Sequence, residues 1–455
     1  MRKNALIGIL SVATVLVLGG CASTIEIGPV PSITPKPSVT PAPTLTPTPI
    51  PDDPNRKDFK AQYEETGELK SLAERYEGYF EMGVAVSREE IEDETKRALI
   101  TAQFDTITCL YELTPEYIFD QEATLASGDK ERVVIDFSGA DVILKYAQEN
   151  GKTVRGSALI TFDKTPDWFF TPDFEITDTT LTRDTDGDGV MDEPDYPLAS
   201  AEVMDARMEN LIKDVMEYCN TNYPGVIVVW DLVEEVIAPT DGHALKYRVN
   251  TSDWARTMGD DYITKAYEYG RKYAAEGQKL FYSEYQIYET VRRTPTVDLA
   301  KMLAEQGLID GMAVQGHWSS QNPNMMAIED VFKPFFALGI EVHISELDIN
   351  MEATDTDDLE RTVDEIYAEA AKRWKNVFNW IVKVEDAGTY DFTNITIYGL
   401  TDDMSWYNQP TEGVDENGNP TVTVPAPNYP VLFDGDLNPK DAFFGTLLDE
   451  SIKMY

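Results

Sequence analysis

VIVVWDLVEEV (226–236) and EVHISELDI (341–349) are the two stretches on which the fold turns. Each is a short, nearly unbroken apolar run that ends in glutamate: Glu234 and Glu235 in the first, Glu346 in the second. A strand that is apolar at successive positions is covered on both faces, as in a parallel sheet wrapped by its own helices. Working outward, six more runs of this kind read as strands: Met82–Val86, Phe104–Leu110, Thr153–Ile160, Leu280–Glu284, Gly311–Gln315 and Thr396–Leu400. With Val226–Val233 and Glu341–Ile344 they make eight. Amphipathic segments such as Ala201–Cys219, Asp260–Glu276 and Thr362–Ala371 lie between them. Eight strands alternating with helices predict an α/β chain, a (β/α)8 TIM barrel over residues 56–455.

A barrel carries its chemistry at the C-terminal ends of its strands. Glu235 and Glu346 end the fourth and seventh strands, three βα units apart at equivalent depth, so they can face each other across the mouth. Two opposed carboxyls suit cleavage of a glycosidic bond, which needs one protonated and one ionised. A spacing of about 5–5.5 Å would imply retention of configuration through a glycosyl-enzyme intermediate. On spacing alone, helix caps or surface charges remain the alternative.

Charge narrows the partners. The chain has 38 Lys+Arg against 81 Asp+Glu, a net −43, which repels phosphate backbones and anionic lipid, so no nucleic-acid partner is expected. With 42% hydrophobic residues it nonetheless buries a large core. At the N-terminus, Arg2 and Lys3 precede an uncharged run that closes in Leu18-Gly19-Gly20-Cys21. This predicts a lipoprotein signal peptide over 1–20, lipidation at Cys21 and a bacterial cell-envelope location with the barrel displayed outside, tethered to the membrane by the lipid alone. Residues 21–55 follow as a Pro/Thr-rich spacer. Cys109 and Cys219 are expected as free, buried thiols. The run Asp184-Thr185-Asp186-Gly187-Asp188-Gly189-Val190-Met191-Asp192-Glu193-Pro194-Asp195 has the oxygen spacing of a calcium loop, with Asp184, Asp186, Asp188, Val190, Asp192 and Asp195 as ligands of a structural Ca2+. Residues 407–428 form a Pro/Asn/Gly-rich insertion, read as either an extra groove wall or a surface loop.

The text around the glutamates resembles glycoside hydrolase family 10, the retaining β-1,4-xylanases. WDLVEEV is similar to that family's WDVVNEA, KLFYSEY (279–285) to KLFYNDY, HISELDI (343–349) to ITELDI, and TDDMSW (401–406) to TDKYSW, collinearly from Met82 to Leu448. The resemblance implies Glu346 as nucleophile and Glu235 as acid/base. It implies Gln315 and His317 as a pair beneath the nucleophile, with the imidazole keeping Glu346 ionised. Trp406 is implied to stack under a sugar and Glu112 to contact a sugar hydroxyl; Tyr285, Trp168 and Trp318 are further cleft candidates. No catalytic cofactor is implied, and the chain is expected to act as a monomer on a β-linked polysaccharide or its oligosaccharides.

The chain also departs from the pattern. Glu234 stands where the family has Asn, Tyr111 and Thr114 replace an Asn and a Lys, Ser157, Thr161 and Phe162 replace His, Trp and His, and Tyr398 replaces a Trp. These positions line the glycone side. The implied function is a surface-displayed endo-1,4-β-xylanase-like hydrolase. A hydrolase of another β-glycoside, or a glycan-binding barrel that has lost turnover, stays open.

Overall fold

A computed structural model of the chain describes residues 57–184, 191, 193–351, 361–414 and 420–454. The signal peptide, Cys21 and the spacer lie outside the described residues. Eight parallel strands form the barrel: β1 Glu81–Val86, β2 Thr106–Cys109, β3 Thr153–Gly156, β4 Ile227–Glu234, β5 Lys279–Glu284, β6 Gly311–Val314, β7 Glu341–Asn350 and β8 Phe392–Ile397. Each pairs with its neighbour in chain order, β8 pairs with β1, and the ring is closed. The helices that follow these strands are α1 Glu94–Gln103, α2 Ser138–Glu149, α3 Ala201–Asn222, α4 Asp261–Tyr273, α5 Thr290–Glu305, α6 Ile328–Phe336, α7 Val363–Asp386 and α8 Asp441–Thr446.

Local chemistry sets where the helices begin. Ser200 caps α3 by accepting from the Val203 amide, and Thr362 with Glu365 forms a reciprocal capping box on α7. The apolar stripes then bury against the strands: Leu211, Ile212 and Val215 of α3 are fully buried. Gly270 of α4 sits so close to β4 and β5 that a Cβ there would stand 2.5 Å from a Leu232 methyl. Any larger residue would push the helix off the sheet.

The strand boundaries differ from the sequence reading in instructive ways. β8 starts at Phe392 and ends at Ile397, not Thr396–Leu400. Its Asn394 and Thr396 face the barrel interior and hydrogen-bond to each other and to Thr106 (2.8 and 3.0 Å), so its buried face is polar and the apolar run misses its start. β3 stops at Gly156, and beyond it Ser157 turns to donate to the Cys109 carbonyl (2.7 Å). Gly156 is required there, because a Cβ would lie 2.2 Å from the Trp230 ring of β4. β7 runs on to Asn350 instead of stopping at Ile344, which makes Glu346 a residue of the strand itself. α7 continues fifteen residues past the predicted Ala371, to Asp386. Cys109 and Cys219 are both buried and free, as expected.

Candidate active site

The glutamates of β4 and β7 meet in one cleft of about 410 Å³ at the C-terminal mouth. Irregular backbone aims both of them. The β4–β5 register slips between Asp231 and Val233, and Glu235, the residue after β4, adopts φ 56°. A left-handed backbone at a non-glycine is costly and is held by its surroundings, here by the Glu235 amide donating to the Ser283 carbonyl (3.0 Å) and Arg248 Nε donating to the Glu235 carbonyl (2.9 Å). On the other side, the β7–β8 register slips between Ile344 and Leu347, which turns Glu346 into the opening.

The two carboxyls have different surroundings. The imidazole of His317 lies between Glu346 Oε2 (3.0 Å from Nε2) and Asp348 Oδ2 (2.9 Å from Nδ1). Burial disfavours its charged form, but Asp348 and then Glu346 outweigh burial and lift its pKa well above the usual histidine value. The ring is an imidazolium at neutral pH and donates to both Glu346 and Asp348. His317 reaches this place because residues 317–319 form a short strand beside the end of β7, with His317 opposite Asp348. Across the cleft, burial, then the carboxylate of Asp163, push Glu235 up to about 8, so it carries a proton at neutral pH. One carboxyl keeps its proton and the other faces an imidazolium, an arrangement suited to glycosidic cleavage, which needs one protonated and one ionised carboxyl.

Gln315 is placed differently from expectation. Its amide donates to Glu235 Oε1 (3.2 Å), not to the nucleophile side, so it positions the acid. Glu112 is also corrected: its carboxylate is buried and accepts from the Arg88 and Tyr111 amides, outside the cleft lining. Tyr285, Tyr398 and Trp406 all line the cleft. Trp406 is 37% exposed, and its indole NH donates to Asp348 (2.9 Å), fixing an open aromatic face beside His317 on which a sugar can stack. Trp318 is core, and Trp168 packs on Phe119 and Phe174. Among the residues the sequence reading missed are Asp348, buried behind His317, and Asp163 and Lys164 in the cleft wall. Asp348 had a signal, since it stands two residues from Glu346 on the same strand face. Asp163 and Lys164, on the loop after β3, had none.

Of the calcium positions, Asp186, Asp188, Val190 and Asp192 lie outside the described residues. Asp195 is in an ion pair with Arg256 (2.8 Å), so the carboxylate assigned to the twelfth position is engaged by a guanidinium instead. Among the described residues no group of three or more His, Cys, Asp or Glu, Asp184 and Asp195 included, is placed to hold a metal ion. The insertion after Trp406 is tied at its base by Asn408 and Asn428, which exchange two hydrogen bonds of 2.8 Å, and it carries a two-stranded ribbon of Thr411–Val414 and Pro420–Thr423. Gln409 brings its base to the cleft.

Comparison with known proteins agrees with this geometry. The chain is 28% identical to endo-1,4-beta-xylanase B of Butyrivibrio fibrisolvens over 83% of its length, spanning 53% of that protein. It is 31% identical to a putative endo-1,4-beta-xylanase of Caldicellulosiruptor saccharolyticus over 67% of its length, spanning 92% of that protein. The chain thus spans about half the length of the first of these relatives and nearly all of the second. Xylanase B from Clostridium stercorarium superposes with a TM-score of 0.65 at 26% identity, covering 83% of this chain and 99% of that structure. The model of Glycosyl hydrolase family 10 matches residues 71–448. With the barrel closed, the two glutamates brought together in its mouth and most of the chain matched, the protein belongs to glycosyl hydrolase family 10.

Proposed function

We propose that the protein is a retaining endo-1,4-β-xylanase, and the observation that carries this reading is His317 bridging Glu346 and Asp348 opposite a Glu235 that keeps its proton. In the first step the Glu346 carboxylate attacks the anomeric carbon while Glu235 gives its proton to the departing oxygen, so the glycosidic bond breaks as a glycosyl ester forms. In the second step Glu235, now a base, takes a proton from water, whose oxygen attacks the same carbon and releases Glu346. Two inversions at one centre restore the original configuration. The reaction needs no metal or organic cofactor, because the acid, the base and the nucleophile are all carboxyls. The relatives named above as xylanases support a β-1,4-xylan substrate, and Tyr285, Tyr111 and Trp406 put aromatic rings along the cleft lining. The sequence of residues 1–55 supports lipid anchoring through Cys21 and display outside the bacterial cell.

The test is release of reducing ends from xylan, with proton NMR of the first anomer formed. The wild type should cleave xylan with the β anomer appearing first, and Glu346→Ala should lose at least about 10⁴-fold in kcat. Equal xylohexaose binding by wild type and Glu346→Ala, without cleavage by either, would instead identify a glycan-binding barrel.

A further inference from the structure

Among the described residues two aromatic side chains stand exposed: Trp406, in the cleft, at 37%, and Tyr117, outside the cleft lining, at 55%. The cleavage steps give Tyr117 no role, yet its ring is tied to the cleft. It stacks on the ring of Tyr111, a cleft-lining residue, with centroids 5.2 Å apart and planes at 14°. Nearly parallel rings at that spacing are offset, so Tyr117 projects past its neighbour instead of covering it squarely. Tyr111 follows β2, across the ring of strands from Tyr285, which follows β5. The stacked pair therefore prolongs the cleft outward at the end away from Tyr285, with Tyr117 as its outer ring.

The backbone under this ring is fixed. Residues Pro115–Ile118 make one helical turn that starts on a proline, and Pro115 and Ile118 are buried. The Tyr117 amide donates to the Thr114 carbonyl (3.0 Å), the Glu116 amide to the Lys164 carbonyl (2.8 Å) and the Asp136 amide to the Ile118 carbonyl (2.8 Å). The last two bonds bind the turn to the loop after β3 and to the segment that leads into α2. A lone apolar side chain on a surface is ordinary, but this one is aromatic, held in place and continuous with the cleft. The groups around it narrow what can cover it. Carboxyls of Glu116, Glu112 and Glu89 lie near the ring against the one ammonium of Lys164, which favours an uncharged occupant over an acidic one.

We propose that Tyr117 is a platform for a sugar of the substrate chain beyond those held in the cleft, and that it sets a preference for long chains over short ones. The ligand class is an uncharged pyranose chain, whose C–H face packs on the exposed ring while its hydroxyls stay in water. Because the platform lies outside the cleft that holds Glu235 and Glu346, it adds binding to the chain without touching the bond that breaks. The inference rests on reading the cleft as a xylan-cleavage site.

The test compares xylohexaose with xylobiose by calorimetry in the Glu346→Ala protein, which does not consume them. Adding Tyr117→Ala should weaken xylohexaose binding about tenfold and change xylobiose binding less than about twofold, and adding Tyr117→Phe should leave both as in the parent, because the ring and not its hydroxyl makes the contact. With Glu346 intact, Tyr117→Ala should raise KM for xylohexaose with kcat held, the mark of binding that is equal in ground and transition states. The proposal is overturned if Tyr117→Ala binds xylohexaose as the parent does, if it weakens both ligands alike, which would make the ring a support of the cleft, or if Tyr117→Phe binds as weakly as Tyr117→Ala. A parent that binds neither ligand overturns it as well. If the wild type fails to cleave xylan while the length-dependent loss holds, the cleavage reading fails and the platform stands; if xylan is cleaved and Tyr117→Ala changes nothing, the platform alone fails.

Discussion

Two histidines at opposite ends of the barrel, His317 at the mouth and His343 on the floor, show how one side chain is set to opposite states. Both are flanked by carboxylates, yet burial and the adjacent Arg155 drive His343 down to about 3, whereas Asp348 and Glu346 overcome burial and raise His317 well above its usual value. His343 Nδ1 meets the Arg155 guanidinium, which also donates to Asp231 (2.6 Å), and its Nε2 faces Glu341 (2.9 Å) and Thr393 (2.7 Å). The floor is a closed network in which Arg155 already supplies the cation, so a second one is refused. The mouth has two carboxylates and no such arginine, so the ring itself becomes the cation. One arrangement holds the fold and the other holds a charge ready for chemistry.

Removing the floor's cation should break the comparison most severely. Arg155→Met leaves Asp231, 5% exposed, with its buried charge unpaired, and stability should drop by about 3–5 kcal/mol, seen as a lower Tm in calorimetry. An unchanged Tm would mean that the floor network adds nothing to stability. At the mouth, Asp348→Asn should lower kcat/KM about 10–100-fold with little change in Tm. The alkaline limb, set in the parent by Glu235 near pH 8, should move to lower pH as His317 becomes the first group to lose its proton. A fall in rate with an unmoved limb would show that the ring works by position rather than by charge.

The smallest effect concerns pH and stability, where the two rings act in opposite directions. The unfolded His343 takes a proton near pH 6.5 that the folded ring refuses until about 3, so its contribution is present above about 6.5 and is lost as pH falls toward 3. The folded His317 holds its proton longer than the unfolded ring, so its contribution is complete below about 6.5 and is lost as pH rises through its raised value. His343→Gln should remove a slope of at most about 1.4 kcal/mol per pH unit between about pH 6 and pH 4 in urea titrations. Identical acid slopes in parent and variant would count against a neutral floor histidine.

The barrel was legible because its strands are apolar on successive positions, and Glu235 and Glu346 were legible as cleft residues because they interrupt that pattern at equal depth. β8 was misplaced for the same physical reason in reverse: Asn394 and Thr396 satisfy each other inside the barrel, and a strand with a buried polar face does not look buried. Gln315 was found as a cleft residue but placed beneath Glu346, whereas its amide donates to Glu235; which carboxyl an amide reaches depends on a register slip of a residue or two. Glu112 was carried over from a family pattern and turned out to be held by two backbone amides.

The order of apolar runs, their glutamate ends and the net charge of −43 are properties of the chain, and from them came the architecture, the class of chemistry and the expectation that no polyanion is a partner. Protonation states belong to the fold. Glu234, Glu235 and Glu346 are the same residue type, and only the tertiary structure assigns His317 to one, places the others among crowded carboxyls and shares a single lysine between Glu234 and Asp163. Distances of a few ångströms between segments distant in sequence set those energies, and no local pattern encodes them.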